Sequence, residues 1–332
     1  MKLLIVGLDA APIRLLQPIP LLRDYSMRKL NAPVPLSGPS WFAIYTGLPA
    51  SEHGVLDVVG RKLSWAGVVP KTYPDVYDKT MWHILEQAGI SCGLCNLPTA
   101  VPVLPDVASL HTSGYPAHPD SIVWPKKMLD TLPTRWLEMC DLSHYGTFLG
   151  GEELWHNDWP QLAKYWTGNT SDMLFNAVMD DSVEVAKWFT RHARGFDVGF
   201  VSFTFIDRLG HMFGLSEMVK NACSAVISEI MRVLRHVYAE NILIVSDHGF
   251  RDEHDPTAGL MLEHHEADGT IGLLSHNNVM ELPEGDMVNT DVFPLVMKLF
   301  GLDDAIPKVD DNVYDAEAEK IVLARLEGLG YM

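Results

Sequence analysis

Three apolar runs that each lead to an aspartate constrain this sequence more than any other feature: Lys2–Leu8 before Asp9, Val198–Ile206 before Asp207, and Asn241–Val245 before Ser246 and Asp247. Short, near-continuous apolar runs of this kind fit strands buried on both faces of a parallel sheet. Ser91–Asn96 is a further run of the same character without the acidic end. Between the runs, apolar residues recur every three or four positions, as amphipathic helices require, in Lys79–Ala88, Ser171–Arg191 and Ser216–Tyr238. A last such segment, Asp315–Glu327, is stopped by Gly328 and Gly330. The alternation predicts an α/β fold, a doubly wound and mostly parallel sheet flanked by helices. Ligands of open α/β sheets bind outside the carboxyl ends of the strands, so these aspartates are placed to converge on one cleft. A single aspartate after a strand is ordinarily a turn or cap residue; their common placement is what points to a site.

At 332 residues and 47% hydrophobic content the chain can bury a large core, and it reads as one domain over 1–332. From Leu110 to Thr170 the periodicity degrades into Pro, His, Tyr and Trp, including Trp124, Trp136, Trp155, Trp159 and Trp166. This predicts a lid or insertion over residues 110–170. The start, Met1–Leu8, is apolar but is followed by Asp9 and lacks a basic region and a cleavage site, so a first strand is expected rather than a signal peptide. No other apolar run is long enough to cross a bilayer. Cys92, Cys95, Cys140 and Cys223 show no disulfide framework, which together with the missing leader predicts a reducing, cytoplasmic home. Cys92-Gly-Leu-Cys95 has the spacing of half a zinc site or a redox pair, yet no second pair accompanies it and it reads as buried structural thiols. A formal net charge of −18 excludes a basic nucleic-acid-binding surface. Any phosphate-bearing ligand must meet its positive charge locally, most simply as metal ions.

Histidines accompany two of the aspartates. Asp207 and His211 share one side of the chain if it turns helically there, and Asp247-His248-Gly249 would present neighbouring side chains in a tight turn off a strand. Carboxylate oxygen and neutral imidazole nitrogen suit Zn²⁺ and also Mn²⁺. Clustered carboxylates without a cation repel one another at low dielectric, so metal is the natural counter-charge. A separate Gly/Pro-rich turn, Pro35-Leu36-Ser37-Gly38-Pro39-Ser40-Trp41, is followed by Tyr45-Thr46-Gly47 and Glu52-His53-Gly54-Val55. A hydroxyl at such a helix start is either a plain N-cap or a group set at an oxyanion site.

Taken in order, these segments resemble the type I phosphodiesterase/nucleotide pyrophosphatase branch of the alkaline phosphatase superfamily over nearly the whole chain. Ile5-Val-Gly-Leu-Asp9 resembles the family's first metal-bearing strand, and Ser37-Gly-Pro-Ser-Trp41 through Thr46-Gly-Leu-Pro-Ala-Ser-Glu-His-Gly-Val55 resembles its nucleophile segment. Asn96-Leu-Pro-Thr-Ala-Val-Pro102, His111-Thr-Ser-Gly-Tyr-Pro116, Asp207-Arg-Leu-Gly-His211, Ser246-Asp-His-Gly-Phe250 and Arg325-Leu-Glu-Gly-Leu-Gly-Tyr331 follow in family order. The resemblance implies an alkaline phosphatase-like fold, two divalent metal ions and Ser37 as nucleophile. One metal would be held by Asp9, Asp247 and His248 and touched by Ser37; the other would be held by Asp207, His211 and a late histidine. The family places that histidine shortly before a glycine that opens an apolar strand, which matches His265 before Gly269 and Thr270–Leu274, with His264 and His276 as neighbouring alternatives. His83, His192 and His236 fall in helical patterns and read as ordinary helix residues.

The chain departs from the family pattern in ways that bear on substrate. Most phosphodiesterases of this branch resemble one another in a threonine nucleophile, where this chain has Ser37. Val58 stands where nucleotide pyrophosphatases carry a phosphate-binding asparagine, and Arg61 or Lys62 nearby are candidates for the missing positive contact. Trp41 stands where sulfatases carry the arginine of their own motif. The implied activity is hydrolysis of a small-molecule phosphate diester or nucleotide-like substrate through a phosphoseryl intermediate, with retention at phosphorus. Phosphomonoester or phosphonate monoester hydrolysis at the same site is the alternative within the class. A non-catalytic, metal-stabilised binding protein is the alternative outside it. A phosphoglycerate mutase would need a large inserted domain for which this chain is too short.

Overall fold

The structure, a computed structural model, describes residues 1–56, 71–114, 123–133, 169–252 and 265–308. In chain order the strands are β1 (Leu3–Leu8), β2 (Ser26–Asn31), β3 (Cys92–Leu97), β4 (Leu110–Ser113), β5 (Val123–Trp124), β6 (Val198–Phe203), β7 (Asn241–Val245), β8 (Gly249–Phe250), β9 (His265–Glu266), β10 (Asp268–Ser275) and β11 (Met287–Val288). β8 and β9 pair with each other; the other nine form one sheet in the order β11-β2-β10-β7-β1-β6-β3-β4-β5. Its centre, β7-β1-β6-β3, is parallel, as buried apolar runs require. β10 runs antiparallel to both β7 and β2, and β5 antiparallel to β4, so the sheet is mixed and mostly parallel.

Every residue of β1 is buried, and its side chains alternate between two cores. Leu4, Val6 and Leu8 pack against two long helices, α5 (Asn169–His192) and α7 (Glu217–Leu234), through Phe189, Ile227 and Ile230. Leu3 and Ile5 pack on the opposite face against α2 (Ser37–Thr46), α4 (Met81–Gln87) and α8 (Val292–Leu299), through Phe42, Leu85 and Val296. The short helices α1 (Ile13–Leu16) and α3 (Ala50–His53) lie beside β2 and α2 respectively, and α6 (Phe205–Phe213) completes the set. Among the described residues no helix is long and apolar enough to cross a membrane.

Several expectations change in detail. The run Val198–Ile206 does not stay extended: β6 ends at Phe203, Thr204 caps α6, and Asp207 lies in that helix's first turn. Phe205, Ile206 and Leu209 are buried as a helical stripe rather than as alternating strand residues. Cys92 and Cys95 leave β3 on opposite faces, one in each core, so they can form neither a redox pair nor one zinc half-site. Burial pushes the Cys92 thiol well above its ordinary range, as an inert structural thiol requires. Within the expected lid, residues 110–113 and 123–124 are the last two strands at one side of the sheet, with 123–124 at its edge; most of the remainder, like the segment Asp315–Glu327, lies outside the described residues.

Ile5 sits on the central strand with 0% exposure, surrounded by α2, α4 and α8. Ile5→Ala removes buried methylenes where the sheet cannot collapse, and the expected cost is about 2–5 kcal/mol, read as a lower urea midpoint with an unchanged denaturant slope.

Candidate metal centre

The carboxyl ends of β1, β6 and β7 meet the start of α2 at one spot. β1 and β7 are adjacent and in register, so Asp9 and Asp247, each just past its strand, are brought together. Ala10, at φ 59°, turns the chain so that its N–H donates to Asp247 Oδ1 (3.2 Å), and the Ala11 N–H donates to Ser246 Oγ (2.8 Å). His248 Nδ1 lies 3.0 Å from the Gly249 carbonyl; only an N–H can serve that bond, so Nε2 carries the lone pair. Around His248 Nε2 stand Asp247 Oδ2 at 3.3 Å, Asp9 Oδ1 at 3.8 Å and Ser37 Oγ at 3.4 Å. Neither Asp9 Oδ1 nor Asp247 Oδ2 receives a hydrogen bond among the described residues, although both are buried.

A second group lies alongside. Asp207 Oδ1 is 3.2 Å from both His211 Nε2 and His265 Nε2, which are 3.0 Å from each other. His265 Nδ1 donates to the Pro35 carbonyl (2.9 Å), which again leaves Nε2 as the lone-pair nitrogen. The His248 and His265 rings stack at 3.9 Å between centroids, so the two groups share a wall. Tetrahedral coordination at Zn–N and Zn–O bonds near 2 Å puts neighbouring donor atoms about 3.3 Å apart. The second group's edges of 3.0–3.2 Å are close to that, the first group's edges at His248 are 3.3 and 3.8 Å, and Asp9, Asp247, His248 and Asp207, His248, His265 each bring ligand atoms within 4.8 Å of one another. The donor set, its spacing and the two orphaned carboxylate oxygens fit divalent cations.

The electrostatics agree. Burial, together with the charges of Asp247 and Asp207, pushes the Asp9 carboxyl well above its ordinary range. Burial does the same to Asp247, with the Asp207 charge adding to it against the Ala10 N–H. Burial also opposes ionisation of Asp207, but His211 and His265 outweigh it and hold that carboxyl well below the ordinary range. His248 is pushed well below the usual imidazole range by burial and by His265, and is therefore neutral, as a ligand must be.

The segment carrying Ser37 is braced on both sides of the hydroxyl. Ser37 is the first residue of α2 rather than its N-cap, which is Leu36, and no side chain caps the helix. Its hydroxyl is therefore not spent on the helix end and faces His248 instead. Ser40 Oγ donates to the Val34 carbonyl (2.6 Å), and Trp41 Nε1 donates to Asp9 Oδ2 (3.2 Å). His53 Nε2 donates to the Pro39 carbonyl (3.2 Å) while its Nδ1 accepts from the Val55 N–H (3.0 Å). Burial takes the His53 pKa down to about 3, which marks a neutral brace rather than an acid or base.

All six candidate ligands and Ser37 thus lie together, whereas His276 is exposed at the opposite end of β10, beside the start of β7. His264, Val58, Arg61 and Lys62 lie outside the described residues. Sequence reasoning missed three contributors. In sequence Trp41 stands out only as the residue at the sulfatase arginine position, with no sign of its bond to Asp9. Asn289 Nδ2 donates to the Asp247 carbonyl (2.8 Å) from a short turn before α8, and nothing local marks it. Arg14 donates to Glu266, to the Phe250 carbonyl and to Asp252, and so ties α1 to β9, the strand that carries His265, and to β8 paired with it.

The model of the family described as type I phosphodiesterase/nucleotide pyrophosphatase matches residues 3–315. The chain belongs to that family. It is accordingly a phosphoester hydrolase of the alkaline phosphatase superfamily, whose members depend on divalent metal ions. Murine ectonucleotide pyrophosphatase/phosphodiesterase 5 superposes with a TM-score of 0.51 at 14% identity, covering 96% of this chain and 100% of that one. The human protein of the same name gives a TM-score of 0.51 at 13% identity, with coverages of 93% and 96%. At such identities the likeness is one of fold. A search of curated protein sequences finds no match.

Because the Asp247 carboxyl is raised in the folded chain, the native state holds its proton at pH values where the unfolded chain, near the ordinary aspartate value of about 4, has lost it. Its contribution to metal-free stability therefore falls as pH rises through that window. In chelator, Asp247→Asn is expected to melt at a higher temperature than the native chain at neutral pH. The gap should close as pH is lowered toward about 4. With divalent metal added the order should reverse, because the native chain gains more from binding.

Proposed function

We propose that this family member is a metal-dependent phosphodiesterase that works through a phosphoseryl intermediate on Ser37. The observation that carries the reading is the position of Ser37 Oγ at the first residue of α2, 3.4 Å from His248 Nε2, where the Asp9 and Asp247 oxygens also point. Asp9, Asp247 and His248 would hold one divalent ion next to Ser37, and Asp207, His211 and His265 would hold another. Bound there, Zn²⁺ or Mn²⁺ would neutralise charge on the phosphoryl oxygens and lower the pKa of the Ser37 hydroxyl.

The chain's own residues supply the rest. Ser37 Oγ attacks phosphorus, the bond from phosphorus to the leaving oxygen breaks, the hydroxyl proton departs with that oxygen, and a phosphoseryl ester forms. Water then attacks phosphorus from the opposite side, the Ser37 oxygen leaves with a proton, and configuration is retained by two successive inversions. The braces at Val34, Pro35, Pro39 and Asp9 hold the hydroxyl in place, which matters because phosphoryl transfer depends on positioning and charge neutralisation more than on covalent help. The N-terminal end of α2 adds the positive end of its dipole on the same side as Ser37. The substrate is a small-molecule phosphate diester or nucleotide-like ester. The family's description favours a diester over a monoester.

Hydrolysis of bis-p-nitrophenyl phosphate and p-nitrophenyl phosphate, with chelator and with added Zn²⁺ or Mn²⁺, tests the reading. Metal-dependent turnover favouring the diester is expected, and Ser37→Ala should lower kcat by about a thousandfold or more with the fold intact. Preference for the monoester would replace diester with monoester hydrolysis at the same site. Unchanged turnover in Ser37→Ala would remove the covalent step.

A further inference from the structure

Asp9 has two oxygens with opposite circumstances. Oδ2 accepts the Trp41 indole N–H at 3.2 Å, and Oδ1 is buried, receives no hydrogen bond among the described residues and lies 3.8 Å from His248 Nε2. Carboxylate rotation about its last bond is soft, so which oxygen faces the ligand group is decided by whatever grips the other. Here the grip is a neutral donor. A lysine or arginine at that point would cancel the charge that a metal needs, whereas an indole N–H orients the carboxylate and leaves its charge free.

The indole is itself held from several sides. Its ring is 0% exposed, stacked on Tyr45 at 5.7 Å and tilted against Phe200 at 6.4 Å. It also lies over Gly7, where an added Cβ would meet the ring at 2.8 Å and Ser202 Oγ at 2.4 Å. Gly7 lies on β1 two residues before Asp9, which follows the strand's end, and the Trp41 indole meets both positions from one side. The missing side chain at Gly7 is thus the notch that lets the indole lie flat on the strand and reach Asp9. Trp41 in turn stands one helical turn beyond Ser37 on α2.

We propose that Trp41 is a positioning residue for the first metal: its N–H fixes the rotation of Asp9 and, through α2, locks that ligand and Ser37 into one rigid unit. The inference rests on the two-metal reading above. It assigns to Trp41 a role in metal affinity that burial alone would not confer.

Metal-free protein titrated calorimetrically with Zn²⁺ separates the possibilities. The native chain should take up two equivalents. In Trp41→Phe, which keeps a buried ring on Tyr45 but deletes the donor, one equivalent should weaken by about 10-fold or more and the other should be unchanged. Trp82→Phe is the control, because it deletes another fully buried indole N–H, the one that donates to Tyr73 Oη at 3.1 Å; both affinities should survive there. Gly7→Ala, which retains the donor but sets a Cβ against Ser202 and the indole ring, should reproduce the selective loss and carries the test if Trp41→Phe does not fold. Native affinities in both Trp41→Phe and Gly7→Ala, equal weakening of both equivalents, or the same loss in Trp82→Phe would overturn the role of Trp41 alone. A native chain that binds fewer than two equivalents would instead overturn the two-metal reading, and this inference with it.

Discussion

Two carboxylates buried side by side without a full set of partners are the constraint around which this molecule is arranged. Asp9 and Asp247 end adjacent parallel strands, both are at most 3% exposed, and each keeps one oxygen with no donor among the described residues. Unneutralised, such a pair costs desolvation and mutual repulsion together, and the raised pKa of each records that cost. Hydrophobic burial on both faces of β1 is what makes the arrangement tolerable, because the two cores hold the strands in register regardless of the charge at their ends. A divalent cation removes the conflict, so metal affinity and fold stability are coupled in the same residues.

The segment carrying Ser37 is placed by contacts that reach both candidate ligand groups. Its Pro35 carbonyl accepts from His265 in the second group, and its Trp41 indole donates to Asp9 in the first. Beside those anchors, Ser40 and His53 occupy the backbone carbonyls of Val34 and Pro39. Each bond is an ordinary one worth about 1 kcal/mol, or about 1.5–3 kcal/mol where the partner is charged. Their joint effect is geometric, since the hydroxyl cannot drift without breaking several at once.

The strands, the helical periods and the residue types that suit a metal site were legible in the sequence because each is a short-range property. Apolar runs report burial on both faces, a period of three to four reports a helix, and an aspartate after a strand reports the carboxyl edge. Less legible were events decided by competition between local options. The run through Ile206 reads as strand on hydrophobicity alone, yet the chain turns into α6 after Phe203, since a helical stripe buries Phe205, Ile206 and Leu209 together and still presents Asp207 and His211 on one side. Arg14 and Asn289 carried no local signal because their partners are more than forty residues away in each case but one turn of loop in space.

By itself, then, the sequence determined the α/β class, the two-faced burial of the central strands, the resemblance to a hydrolase family and the chemistry of the donor set. Tertiary structure decided which residues meet. It put His265 rather than His276 at the cleft, because β10 runs antiparallel to β7 and so carries its two ends to opposite edges of the sheet. It separated Cys92 from Cys95 by the pleat of one strand. It also laid the Trp41 indole over Gly7 and onto Asp9, a contact between segments whose residues are 32 apart in the chain. The physical reason is the same throughout: side-chain type and period are local, whereas donor distances depend on strand order and register, which only the packed sheet sets.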